Sequence, residues 1–354
     1  MRRASLGCAL FTCLLSMACG GGGSGDGDDA PPIDAPNYVT GTYSVTWGPY
    51  TAQPGEEGTK CVELRLGNPG PIHVHEIHND LGQASHHFIV YRKATGTELT
   101  TPTDCTPFVG TLDPANGAPL MITQKADETL TLPEGVSFTL QQDQLVRLEM
   151  HYVNATDAPI DVQATAEFRT TLEATQEADF LFAGTPDIDL PARNPPQPQR
   201  VGPVYLPFPP SLAGANVFAV TGHTHELGTD VEVAVTPNAG SPGQMVYQPD
   251  EFSWDEPETT FHRPAFQIPA DGGFRFTCDY LNDSGRRVGF GEDANDEMCF
   301  FWLYYYPSKG AKICIHTDQQ GGHDVCCPAD EGSDDAVICA LLPSLIDDFT
   351  KRPR

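Results

Sequence analysis

The sequence predicts an all-β protein built from two antiparallel β-sandwich domains in tandem, and three observations carry that expectation. Gly (34) and Pro (32) are abundant, charged residues make up only 19%, and short apolar runs lie between turn signals. The clearest run alternates strictly. In Leu145-Val-Arg-Leu-Glu-Met-His-Tyr152, Val146, Leu148 and Met150 fall on one strand face, and Arg147, Glu149 and His151 on the other. Finally, prolines cluster in Asn194-Pro-Pro-Gln-Pro and Leu206-Pro-Phe-Pro-Pro210. That reads as an extended connector over residues 185–210, separating a domain at 38–184 from one at 211–312. A Cys-rich acidic tail, 313–354, follows, with a helix expected near Ala336–Phe349. No internal repeat is visible.

Residues 1–19 read as a targeting segment outside the fold. Arg2 and Arg3 precede an apolar run, Leu6 to Ala18, too short to span a bilayer. The segment closes on Leu15-Ser-Met-Ala-Cys19, which is similar to a bacterial lipobox, with Cys19 as the lipidated residue; it also suits ordinary signal-peptidase cleavage. Residues 20–37, rich in Gly, Asp and Pro, read as a flexible tether. Gly20 after the Cys fits outer-membrane sorting. An extracytoplasmic lipoprotein on a bacterial outer membrane or cell surface is therefore expected, meeting the membrane only through its lipid. The net charge of -28 excludes nucleic acid as a natural partner. Eight cysteines remain beyond the targeting segment, and an even number in an oxidising compartment reads as disulfides, four if all pair.

Chemistry enters with Gly222-His223-Thr224-His225. A strand-like run, Ala215 to Thr221, precedes it, and Val231-Glu-Val-Ala-Val235 alternates after it. Residues i and i+2 of a strand share a face, so His223 and His225 aim two imidazoles at one point. His86-His87 is different. Neighbours on a regular strand face opposite ways, so both reach one metal only at a strand end or a bulge. With His151 they make three imidazoles, a set suited to copper or zinc. Met298 offers a soft thioether that favours Cu(I), although core packing is the commoner fate of a Met beside aromatics. His73 and His75 share a strand face and permit an extra site, with a polar face near a cleft as the plainer reading for them and His78. His262, His316 and His323 read as surface residues.

Five segments together resemble the copper type II, ascorbate-dependent monooxygenases, the family of dopamine β-monooxygenase and peptidylglycine α-hydroxylating monooxygenase. They are His86-His87, Leu148-Glu-Met-His151-Tyr-Val-Asn154, Val217-Phe-Ala-Val-Thr-Gly-His223-Thr-His225-Glu-Leu-Gly228, Thr277-Cys-Asp-Tyr-Leu-Asn282, and Asp296-Glu-Met298-Cys299 with Tyr304-Tyr-Tyr-Pro307. The resemblance runs from about residue 60 to 307 and leaves the tail uncovered. It implies two jelly-roll sandwiches and two coppers per chain. One would be an electron-transfer copper on His86, His87 and His151. The other would be an oxygen-binding copper on His223, His225 and Met298, the catalytic set. It implies ascorbate or another one-electron donor, O2, and a small organic substrate hydroxylated at an aliphatic or benzylic C–H. It also implies bridges Cys61–Cys105 and Cys278–Cys299, the second next to Met298.

Departures from the family bear on substrate. Peptide-amidating members hold a terminal carboxylate with an Arg two residues before the His-x-His pair, and with Asn and Tyr two and four residues after the Met. Here those positions are Thr221, Phe300 and Trp302. An uncharged or cationic, aromatic substrate is expected instead. The chief alternative is a non-catalytic extracytoplasmic copper-binding or carrier lipoprotein, which would bind metal without consuming O2. A blue-copper carrier needs a free Cys followed by His and Met, and Cys314-x-His316 has no Met after it.

Overall fold

A computed structural model describes residues 37–108, 117–291, 293, 295–319, 322–333 and 335–340. The targeting segment, Cys19 and the tether lie outside the described residues, apart from Asn37. So does most of the expected C-terminal helix, of which Ala336 to Ala340 is seen.

Strands dominate, as the alternation requires. In the first half, Thr42–Ala52, Ile160–Thr171, Ile72–Leu81, Val136–Leu140 and Gln176–Glu177 lie side by side in that order, with Asp127–Thr131 also paired to Ile72–Leu81. The facing sheet runs Leu99–Asp104, Glu57–Arg65, Leu145–Val153, Ser85–Lys93, Gly117–Thr123. The second half repeats the two-layer plan. Its six-stranded sheet runs Thr260–Gln267, Asn216–His223, Cys299–Tyr306, Asp179–Thr185, Lys312–Thr317, His323–Cys327, and its four-stranded sheet Pro198–Pro207, Gly273–Leu281, Gly228–Thr236, Gln244–Tyr247. The pairings are antiparallel except for Gln176–Glu177 with Val136–Leu140 and Asp179–Thr185 with Lys312–Thr317.

Three expected boundaries shift. The strand Asp179–Thr185, assigned from sequence to the first domain, pairs with Cys299–Tyr306 in the second-half sheet. The Pro-rich connector supplies Pro198–Pro207, paired along its length with Gly273–Leu281. Proline is tolerated there because the strand is an edge, with a register shift between Val201 and Val204. The start of the Cys-rich tail likewise continues the six-stranded sheet through Lys312–Thr317 and His323–Cys327, stapled by Cys314–Cys326 and Cys327–Cys339. The described residues pack as one compact unit around a buried core that continues through both halves.

The strand Leu145–Val153 shows what joins them. Val146, Leu148 and Met150 are buried as predicted, but so are Arg147, Glu149 and His151. The face of Arg147 and Glu149 is covered by the segment from Thr106 to Phe108, and Phe108, whose N–H donates to Glu149 Oε1 (2.7 Å), stacks in turn against Phe182 of the second half.

Candidate metal centre

His86, His87 and His151 come together for the reason the sequence demanded. The strand Ser85–Lys93 runs beside Leu145–Val153 with a register shift between Ser85 and His87, so His86 sits in a bulge while His87 pairs with His151. The bulge lets adjacent imidazoles face one point. Ring centroids are 5.5 Å apart for His86–His87, 5.0 Å for His86–His151 and 4.8 Å for His87–His151, and one nitrogen from each lies within 4.8 Å of the others. His151 Nε2 also lies 3.1 Å from Glu57 Oε1.

His223 and His225 stand at the end of Asn216–His223, ring centroids 5.2 Å apart. Gly222 is required here by close approach. A Cβ on it would meet the Tyr247 ring at 2.6 Å and Val231 at 2.7 Å from the facing sheet. His223 pairs with Phe300 of Cys299–Tyr306, and the segment before that strand reaches His225, whose Nδ1 lies 3.1 Å from the Asp296 carbonyl oxygen. Three contacts fix this end. The buried Glu297 carboxylate accepts from the N–H groups of His225 (2.9 Å) and Leu227 (2.7 Å). Tyr280 donates its hydroxyl to the Met298 carbonyl at 2.6 Å. Cys278–Cys299 pins the next residue. The other implied bridge, Cys61–Cys105, is also formed.

Burial sets the electrostatics. His86 and His225 are pushed down to about 3, first by desolvation and then by the neighbouring His151. Desolvation holds His87 and His223 well below the usual histidine range. These imidazoles are therefore neutral at physiological pH, the form that ligates metal. Several of their nitrogens are buried without a hydrogen-bond partner: both of His86, Nδ1 of His87 and Nε2 of His223. Orphaned buried imidazole nitrogens are costly unless something else satisfies them. Clustered neutral imidazoles with unpartnered nitrogens suit copper, so the histidines fit the metal that the resemblance implies.

The two sets meet across the seam. A run of ring contacts goes from His87 through Phe108 (5.2 Å, tilted), Phe182 (6.0 Å) and Phe300 (5.0 Å), the residue paired with His223. Thr221, His223, Phe300 and Trp302 share one sheet face, with Trp302 6.0 Å from His223. Trp254, on the segment before Thr260–Gln267, lies 5.6 Å from His86.

The remaining histidines stand apart from both sets. His73 Nδ1 meets Ser137 and Thr139, each at 3.2 Å, His78 faces Asp127, and His262 faces the Val246 carbonyl. His316 is not the plain surface residue expected. It is half-buried, 2.6 Å from Asp324, whose carboxylate raises its pKa. Sequence reasoning missed Glu57, Gln124, Trp254, Tyr280 and Glu297. Glu297, an acid wedged before Met298 and an aromatic run, was the one with a local signal.

A sandwich protein with two facing clusters of buried metal-type ligands is the class that the fold and site define. Residues 207–323 match the copper type II ascorbate-dependent monooxygenase, C-terminal domain, a stretch holding His223, His225, Met298 and Cys278–Cys299. That match supports the family resemblance that the sequence carries. Among solved structures, the major capsid protein P2 from bacteriophage PM2 is similar at 10% identity, covering 77% of this chain and 100% of that one, with a TM-score of 0.33. PNGase F, a glycosylasparaginase from Flavobacterium meningosepticum, is similar at 10% identity over 77% and 97%, with a TM-score of 0.36. Neither likeness bears on function. A search of curated proteins returned no match.

Proposed function

We propose that this chain is an extracytoplasmic, ascorbate-dependent copper monooxygenase that hydroxylates an aliphatic or benzylic C–H of a small organic substrate. The observation that carries the reading is the pair of clustered imidazole sets with orphaned buried nitrogens, with Met298 buried on the segment that holds the His225 backbone through Glu297. His86, His87 and His151 would hold one copper, and His223, His225 and Met298 the other. When bound, copper supplies the one-electron chemistry with O2, and ascorbate or another one-electron donor supplies the electrons.

The chain's own residues supply position and environment. Glu297 fixes the backbone of His225 and Leu227, and Tyr280 fixes the Met298 carbonyl. Phe300 and Trp302, 3% exposed each, keep water from the face they share with His223. Thr221 donates or accepts only through a hydroxyl bonded to Thr259 (2.9 Å), so that face offers nothing to pair a substrate carboxylate. An uncharged or cationic aromatic molecule suits it better than an acyl-glycine peptide. Four disulfides support an oxidising location, and membrane fractionation of a Cys19→Ala variant tests the anchor.

The test is metal analysis followed by O2 uptake. Purified protein is expected to take up about two coppers per chain, falling to about one in His223→Ala. Ascorbate-dependent O2 uptake should rise with a phenethylamine and not with a dansylated peptidyl-glycine. Copper binding without any substrate-dependent uptake would favour the carrier reading. A single copper that survives the His223 change would refute the two-site arrangement.

A further inference from the structure

Gln124 follows the first-half strand Gly117–Thr123, yet its side chain reaches the second half. Its Oε1 lies 2.8 Å from His223 Nδ1, and its Nε2 donates to the Trp254 carbonyl at 3.3 Å. It is buried, 6% exposed. These contacts fix proton positions by donor and acceptor logic. The Trp254 carbonyl only accepts, so the amide must turn its NH2 toward it. That leaves the amide oxygen, which also only accepts, facing His223. Nδ1 must then carry the imidazole proton, and the lone pair stands on Nε2. Nε2 is the His223 nitrogen buried without a partner.

We propose that Gln124 is a positioning residue: it selects the Nδ1–H tautomer of His223, presents Nε2 to the metal, and through the Trp254 carbonyl holds the indole over His86. The inference rests on the copper reading for its metal, but the tautomer stands independently of it. One first-half side chain thereby ties the geometry of a second-half ligand to contact between the halves. A metal-ligating histidine commonly has its other nitrogen fixed in this way, and loss of such a partner typically weakens metal binding about 10–100-fold.

Two variants separate the role from simple packing. Gln124→Leu removes both hydrogen bonds. Gln124→Glu keeps an acceptor for Nδ1 while losing the donor to Trp254. The first readout is long-range 1H–15N correlation of histidine-labelled, metal-free protein; the second is Cu(I) titration against a chromophoric chelator. The natural protein and Gln124→Glu should show His223 protonated at Nδ1. Gln124→Leu should lose that pattern, with the weaker Cu(I) binding confined to the His223 set. An unchanged His223 tautomer in Gln124→Leu, or identical spectra for the two variants, would overturn the proposal. A natural protein that binds no Cu(I) would overturn the copper reading while leaving the tautomer result to decide the role of Gln124.

Discussion

Cutting the Cys278–Cys299 bridge is expected to cost stability and, separately, one metal site. Both cysteines are fully buried, and the bridge closes a 21-residue loop between the end of Gly273–Leu281 and the start of Cys299–Tyr306. A loop of that length carries a closure entropy of about 11 cal/mol/K in the chain-entropy model, or about 3 kcal/mol at 25 °C. The double variant Cys278→Ala/Cys299→Ala removes the bridge without stranding a lone thiol. Urea unfolding of the metal-free protein should therefore show a loss of about 3 kcal/mol. The local effect reaches further. Met298 adjoins Cys299, and without the bridge its nearby anchors are the Tyr280 hydrogen bond to its carbonyl and the Glu297 carboxylate. Cu(I) titration should show weaker binding at the set containing Met298, by about tenfold, with the His86, His87 and His151 set unaffected. A stability change below about 1 kcal/mol, or equal weakening of both sets, would refute the reasoning.

Two further outcomes follow from the seam. Gly184 pairs with Phe300, and a Cβ there would meet the Phe300 ring at 2.3 Å and the Cys299 carbonyl oxygen at 2.5 Å. Because that ring is stacked on Phe182, Gly184→Ala should destabilise by about 1–3 kcal/mol, and near-native thermal unfolding would contradict the packing. Burial raises the half-buried Glu128 from its ordinary 4.5 to about 7, against a hydrogen bond from Thr259. Between those values the folded chain keeps a proton that the unfolded chain has released, so stability falls as pH rises, by on the order of 3 kcal/mol at most. Glu128→Gln should flatten that part of the profile in urea unfolding at pH 5 and pH 8, and an unchanged slope would exclude Glu128 as its source.

Period-two alternation made the strands legible, and ligand chemistry made the two histidine sets legible, because both are local. Leu145–Val153 and Asn216–His223 appear close to where their patterns place them, and the bulge that His86-His87 required is present. The edge strand Pro198–Pro207 was hidden because Pro203 and Pro207 read as breakers, while the bulge after Val201 disrupts its alternation. Each half carries such a Gly-Pro bulge, at Gly48-Pro49 and Gly202-Pro203, a likeness that no sequence repeat announces.

What sequence could not supply is the environment of the ligands, and distance along the chain explains why. Gln124 and His223 are 99 residues apart, and His151 and Glu57 are 94 apart. A glutamine at a strand end and an acid in a half-exposed strand carry no pattern of their own; their role exists only once two sheets meet. The same holds for Arg147 and Glu149. Alternation assigned them to a polar face, and only the distant Cys61 and the segment from Thr106 to Phe108, folded over that face, turn them into a buried pair at 3.0 Å. From there Glu149 holds the backbone of Phe108. Phe108 packs against His87 and stacks on Phe182, and Phe182 stacks on Phe300. The ligands are thus legible residue by residue, whereas the contacts that hold one set against the other belong to the seam.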